Sequence, residues 1–168
     1  GILCEIKGIN PFDHRIVRET IKVLDEVGYK GNIALQSFDF GAVLYAKRHS
    51  NYACGELCTW CSPDGKHNRW WATDFMGKLW INKITRPDFI AYDVRAVDRN
   101  LPENKWIVKW SKKLPILMWT IKSQETLENA TKYANNVIFE HMDAALMDSL
   151  ARKFMPFRCL EKNLPSNK

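Results

Sequence analysis

A carboxylate and an ammonium group stand two residues apart near the start of the chain, in Leu3-Cys4-Glu5-Ile6-Lys7. Read as a strand, the stretch alternates, with Leu3, Glu5 and Lys7 on one face and Cys4 and Ile6 on the other. Glu5 and Lys7 so placed suit one shared ligand, an anion or a metal ion. The same pair also suits a solvated strand end, and the stretch alone leaves both readings open. Asp93 and Arg95 repeat the spacing later in the chain, where a strand-end ion pair and a phosphate contact by Arg95 are the two readings. Glu140 is a further acid at a strand end. Ser37 has neither a Gly-x-Ser-x-Gly elbow nor a paired histidine, so nothing supports it as a nucleophile.

The elements that must position these groups follow from periodicity. After the first strand, Asp13 is a plausible helix cap, Val17, Ile21, Leu24 and Val27 form an apolar stripe at helical spacing, and Gly28 supplies the stop. Residues 32–37 read as a second strand, with Asp39 placed to cap a helix through Ala46. A third, weaker strand is expected at residues 52–57. The pattern then breaks into a polar, tryptophan-rich stretch between Cys58 and Arg86, with a helix expected over residues 75–84. Strands at 88–94, 115–121 and 136–140 alternate with helices at 103–112, 124–134 and 143–154.

Apolar strands alternating with helices indicate a parallel sheet covered by helices on its outer side. Polar residues gather at the C-terminal ends of the strands: Glu5 and Lys7, Gln36 and Ser37, Asp93 and Arg95, Trp119 and Thr120, and Glu140. In a (β/α)8 barrel those ends form the active face, which favours a barrel over an open sheet.

Five stretches in order carry a family likeness: Cys-Glu-Ile-Lys (4–7), Ala-Leu-Gln-Ser-Phe-Asp (34–39), Phe-Ile-Ala-Tyr-Asp-Val-Arg-Ala (89–96), Met-Trp-Thr-Ile-Lys (118–122) and Asn-Val-Ile-Phe-Glu (136–140). Together they resemble the bacterial glycerophosphodiester phosphodiesterases. The resemblance implies an incomplete (β/α)8 TIM-type barrel, strands three to eight with helices outside and an insertion after the fifth strand. It implies an α/β domain over residues 1–155, with the insertion at about 61–86 and a C-terminal tail at 156–168. The activity implied is hydrolysis of glycerophosphodiesters to an alcohol and glycerol 3-phosphate, dependent on a divalent cation, Mg²⁺ or Ca²⁺. On that pattern Glu5 matches the metal-binding Glu, Lys7 the catalytic Lys beside it, and Trp119 the Trp lining the substrate pocket. Ser37 and Arg95 join Trp119 as substrate-contacting candidates. The family's His-Arg-Gly motif, its Glu-x-Asp metal pair and its second catalytic His precede the Glu-Ile-Lys strand, and only four residues precede Glu5 here. None of His14, His49, His67 and His141 stands in a matching context. The resemblance therefore implies a chain without the general acid and base, inactive as it stands. A non-catalytic, anion-binding relative of the same barrel is the alternative.

Cys54, Cys58 and Cys61 have the C-x3-C-x2-C spacing, which resembles the iron–sulfur motif of radical S-adenosylmethionine enzymes. Three thiolates would leave one iron of a four-iron cluster open to the cofactor. Two strand–helix units precede the motif here, which is not that family's order. With His67 the same cysteines could make a Cys3His zinc site, although the spacing fits no common finger. The third reading is that Cys54 and Cys58 pack around a strand.

The net charge of +6 suits an anionic substrate, but the basic residues are scattered and form no stripe of the kind nucleic acid demands, so no nucleic-acid partner is expected. Five cysteines in a chain with 46% hydrophobic residues point to reduced thiols and a cytoplasmic location. No apolar run has the length of a membrane span. If the chain holds strands three to eight, its first and last strands have free edges, to be covered by the insertion, the tail or a second copy in a homo-oligomer.

Overall fold

The structure is a computed structural model that describes residues 1–8, 10–59, 78–98, 104–141 and 143–154. Six strands run through these residues: β1 Ile2–Glu5, β2 Ile33–Ser37, β3 Ala53–Cys58, β4 Phe89–Asp93, β5 Ile116–Ile121 and β6 Asn136–Phe139. They form a single sheet in chain order, every neighbouring pair parallel. The connections carry α1 Arg15–Val27, α2 Phe40–His49, α3 Asn82–Thr85, α4 Arg95–Asp98, α5 Asn104–Ser111 and α6 Gln124–Ala130, and α7 Ala144–Phe154 follows the last strand. This is a curled half-barrel with helices outside, an incomplete TIM-type barrel as the sequence leads one to expect.

The local rules account for most boundaries. In α1 the buried Val17 and Ile21 lie one turn apart, and Gly28 ends the helix in the left-handed conformation at φ 60°, which a side chain would make costly. The helix begins one residue later than an Asp13 cap requires. His14 holds the cap position, and Asp13 instead accepts the Arg15 backbone N–H at 3.1 Å and binds the Arg15 side chain. In α2 the Asp39 carboxylate accepts the N–H groups of Gly41 and Ala42 at 2.9 and 3.3 Å, and the helix runs on to His49. Such a cap contributes about 1 kcal/mol. The helix expected over 124–134 stops at Ala130 because its last turn tightens: the N–H groups of Lys132 and Tyr133 reach back three residues to Asn129 and Ala130. Of the helix expected at 75–84, residues 75–77 lie outside the described residues, 78–81 form a turn and the helix begins at Asn82, in α3; the bulk of the 61–86 insertion and the tail at 156–168 also lie outside the described residues.

Alternation along each strand sorts the side chains into two layers. Leu35, Cys54, Cys58, Ile90, Tyr92, Ile116, Met118 and Val137 face the helices and pack with Val17, Val43, Ile107, Leu127 and Leu146. A smaller cluster fills the concave side: Leu57, Phe89 and Ala91, with Ala34, Ala53, Leu117 and Trp119 against it. The sheet curls towards this side. Strands β2 and β5 are three positions apart, about 14 Å in a flat sheet, yet the Phe38 ring just after β2 meets the Trp119 ring on β5 edge-on at 5.7 Å. No ladder joins β1 to β6 among the described residues, so both keep a free edge.

Candidate functional site at the strand ends

The concave face carries Leu3 and Glu5 on β1, since the register pairs Leu3 with Ala34 and Glu5 with Gln36. It continues through Gln36, Gly55, Leu57, Ala91, Asp93 and Trp119. Apolar residues occupy its floor, and the polar ones stand towards the C-terminal ends of the strands. Lys7 follows β1 beyond Ile6, whose side chain is buried on the helix side. Glu5 and Lys7 are both exposed at the free edge, as the sequence placed them.

The loop carrying Lys7 is fixed from β2. The Ile6 N–H donates to the Gln36 carbonyl at 2.8 Å, the Ser37 hydroxyl donates to the Ile6 carbonyl at 2.5 Å, and the Asp39 N–H donates to the Ser37 oxygen at 3.0 Å. Behind this clip, Gly8 lies so close to the Asp39 side chain that a Cβ there would collide with it. Ser37 is thus buried on the outer face with its hydroxyl engaged twice, which is the position of a structural clip rather than of a pocket wall. Its neighbour Gln36 faces the concave side, 6% exposed, with its carbonyl oxygen Oε1 lacking a partner. Trp119, on the same face, has its indole N–H buried and equally unpartnered. The site therefore holds an orphan acceptor and an orphan donor, and buried groups of this kind normally find a partner.

Asp93, almost fully buried, is the most heavily bonded acid of the strand ends. It accepts Arg95 Nε at 3.0 Å on both oxygens, Arg95 Nη2, the Arg95 backbone N–H at 2.9 Å and the Thr59 hydroxyl at 2.8 Å. The expected ion pair is present, and it commits the Arg95 guanidinium to Asp93. After β6, Glu140 pairs with Lys122 at 2.9 Å, and this hydrogen-bonded ammonium holds the Glu140 carboxyl below its usual range. His141 stands beside Glu140 at 3.7 Å with its ring exposed. His14 and His49 belong to the outer helices, and His67 lies outside the described residues.

Among the described residues no group of three or more His, Cys, Asp or Glu side chains could hold a metal ion. Glu5 offers a hard oxygen of the kind Mg²⁺ and Ca²⁺ take, and the orphan oxygen of Gln36 stands on the adjoining strand. These do not amount to a complete cation site. The cysteines do not converge on the strand ends either. Cys54 and Cys58 are buried in two different apolar clusters on the helix side, and Cys61 lies outside the described residues. Burial, with Glu56 adding to it, pushes the Cys58 thiol well up, away from the thiolate that a cluster or zinc ion requires.

Glu56 was not singled out by its sequence context. It lies between Cys54 and Cys58 on the same face of β3, fully buried, with neither carboxylate oxygen bonded to a partner. Burial raises its pKa to about 8; the adjacent Thr85 hydroxyl opposes the shift and the Asp39 charge adds to it. Asn82, one turn before Thr85 on α3, is 2% exposed and also unpartnered at both side-chain atoms.

No protein-family model and no curated protein matches the sequence. Two of the solved structures that share its fold are glycerophosphodiester phosphodiesterases. The glycerophosphodiester phosphodiesterase of Parabacteroides distasonis superposes with a TM-score of 0.62 over 90% of this chain and 57% of that one, at 11% identity. That of Thermotoga maritima gives 0.56 over 80% and 52%, at 13% identity. The chain therefore spans little more than half the length of either structure, and at these identities the likeness is one of fold.

Proposed function

We propose that this chain forms the larger part of a phosphodiesterase barrel acting on glycerophosphodiesters, and that it binds the substrate's phosphate at the concave strand-end face. The observation that supports the reading is that Glu5, Gln36 and Trp119 share the concave face of a half-barrel whose fold is that of two such enzymes, with Lys7 following β1. Lys7 would supply fixed positive charge to the phosphoryl oxygens, a stabilisation that grows as charge develops there. The Trp119 indole N–H and the Gln36 amide oxygen would orient the hydroxyl-bearing glycerol moiety. Glu5 would be one ligand of Mg²⁺ or Ca²⁺, the remaining ligands coming from outside the described residues. Because the described residues do not complete that site, no chemical step is assigned to the ion. Arg95 would act on substrate only through Asp93, by keeping that strand end rigid, and Ser37 by fixing the Lys7 loop.

Cys4 and Cys58 carry free thiols, which supports a reducing compartment. No helix among the described residues is long and apolar enough to cross a membrane. The two free sheet edges support a working form in which a further segment or a second copy covers them.

The test has two arms. The 168-residue chain, supplied with Mg²⁺ or Ca²⁺ and glycerophosphodiesters, should show no turnover above a Glu5→Ala control, because it lacks the paired acid and base. In a protein extended upstream by histidine-bearing strands, turnover should appear, and Glu5→Gln should lower it by about two orders of magnitude or more without recovery at raised metal concentration. Near-normal activity of that variant would remove Glu5 from the site.

A further inference from the structure

We propose that the outer α1–α2 surface carries a site for a small tetrahedral oxyanion, formed by Arg48, His49, His14 and Tyr45 and independent of the strand-end face. A cavity of about 230 Å³ lies there, lined by His14, Gly41, Leu44, Tyr45, Arg48 and His49. It is several times a water's share of liquid volume and smaller than the pockets of drug-sized ligands. That size suits a tetrahedral anion with part of its hydration shell.

The charge around it is one-sided. Among the described residues no carboxylate lines the cavity. The neighbouring cations are already answered: Arg15 by Asp13 at 2.6 Å, Arg18 by Glu19 at 3.3 Å and Lys47 by Asp88 at 2.9 Å. Arg48 has no ion-pair partner among the described residues. An unpaired guanidinium in a concave, acid-free setting presents a fork of donors matched to an oxyanion.

The rings decide the rest. Tyr45 stacks on His14 with centroids 4.8 Å apart and on His49 at 4.0 Å. Both imidazoles are thus held at the cavity by the Tyr45 ring. His49 Nδ1 lies 2.9 Å from the Tyr45 carbonyl, an acceptor, so Nδ1 carries the proton. In the neutral ring Nε2 then shows a lone pair, which repels an anion. Protonated, the same atom becomes a second donor beside Arg48. Arg48 lines the same cavity as His49, the Lys47 ammonium is bonded to Asp88, and Asp13 and Arg15, on either side of His14 in the chain, are bound to each other.

Sulfate is the probe. The imidazole resonances of the full chain are followed by NMR during sulfate titration, with ionic strength held by chloride. Saturable shifts of His49 and His14 are expected. Arg48→Gln should weaken binding by about tenfold, while Arg18→Gln, on the paired neighbour, should not. Shifts that follow chloride equally, fail to saturate, or persist unchanged in Arg48→Gln would overturn the proposal.

Discussion

Replacing Glu56 by Gln should make the protein more stable at neutral pH and do so by an amount that grows with pH. In the unfolded chain the carboxyl titrates near its model value of 4.5, whereas in the fold it holds its proton until about pH 8. Below 4.5 both states are protonated and the group contributes no pH dependence. Between the two values the unfolded state ionises and the native state does not, so stability is lost as pH rises, and the loss levels off above 8. Each pH unit in that window is worth about 1.4 kcal/mol, so from pH 4.5 to 7.5 the ceiling is about 4 kcal/mol, which water entry and local relaxation reduce. Gln keeps the shape and carries no charge at any pH. The assay is urea unfolding of both proteins at intervals from pH 5 to 8, reading the difference between them so that all other titrating groups cancel. A difference that widens by 2–4 kcal/mol, or roughly 10 °C in Tm at the upper end, is expected. A difference flat across the range would refute the reasoning and mean that Glu56 is ionised in the fold.

Arg95→Met should cost about 3–5 kcal/mol in chemical denaturation, because it strands the buried Asp93 charge with Thr59 as its remaining side-chain donor among the bonds described, and adding Asp93→Asn should recover part of that loss. Ser37→Ala should destabilise the chain by about 1–3 kcal/mol and speed amide hydrogen exchange through residues 6–8, with β4 and β5 unaffected.

The strands and most helices were readable because a covered parallel sheet writes itself as short apolar runs separated by amphipathic helices, and each run here fell within a residue or two of its strand. The strand-end gathering of Glu5, Lys7, Asp93, Trp119 and Glu140 was readable for the same reason. Which neighbour faces which side was also present in the pattern but easily misread. Leu35 is the apolar, helix-facing residue of β2, so Ser37 two places on must share its face and Gln36 must point the other way. The conspicuous cysteine spacing drew attention from Glu56, although positions 54, 56 and 58 necessarily share a face. What no local pattern reveals is the curl that brings Phe38 to Trp119, because it arises from the twist of all the strands together. The excess of unpartnered acceptors around Glu56 was hidden likewise, since α3 reaches it only through the fold.

The clip from Ser37 to Ile6 gives the outermost strand two unequal ends. Among the described residues β1 is held along one side only, and in this chain thermal opening proceeds like a zipper from whichever end is weaker. At the Gly1 end the tie is the Ile2 N–H to the Asn32 carbonyl at 2.8 Å. At the other, backbone and hydroxyl bonds converge on Ile6 in succession. Peeling should therefore start at residue 1 and stall before residue 6, so that Glu5 and Lys7 keep their register with β2 while the strand's leading half breathes.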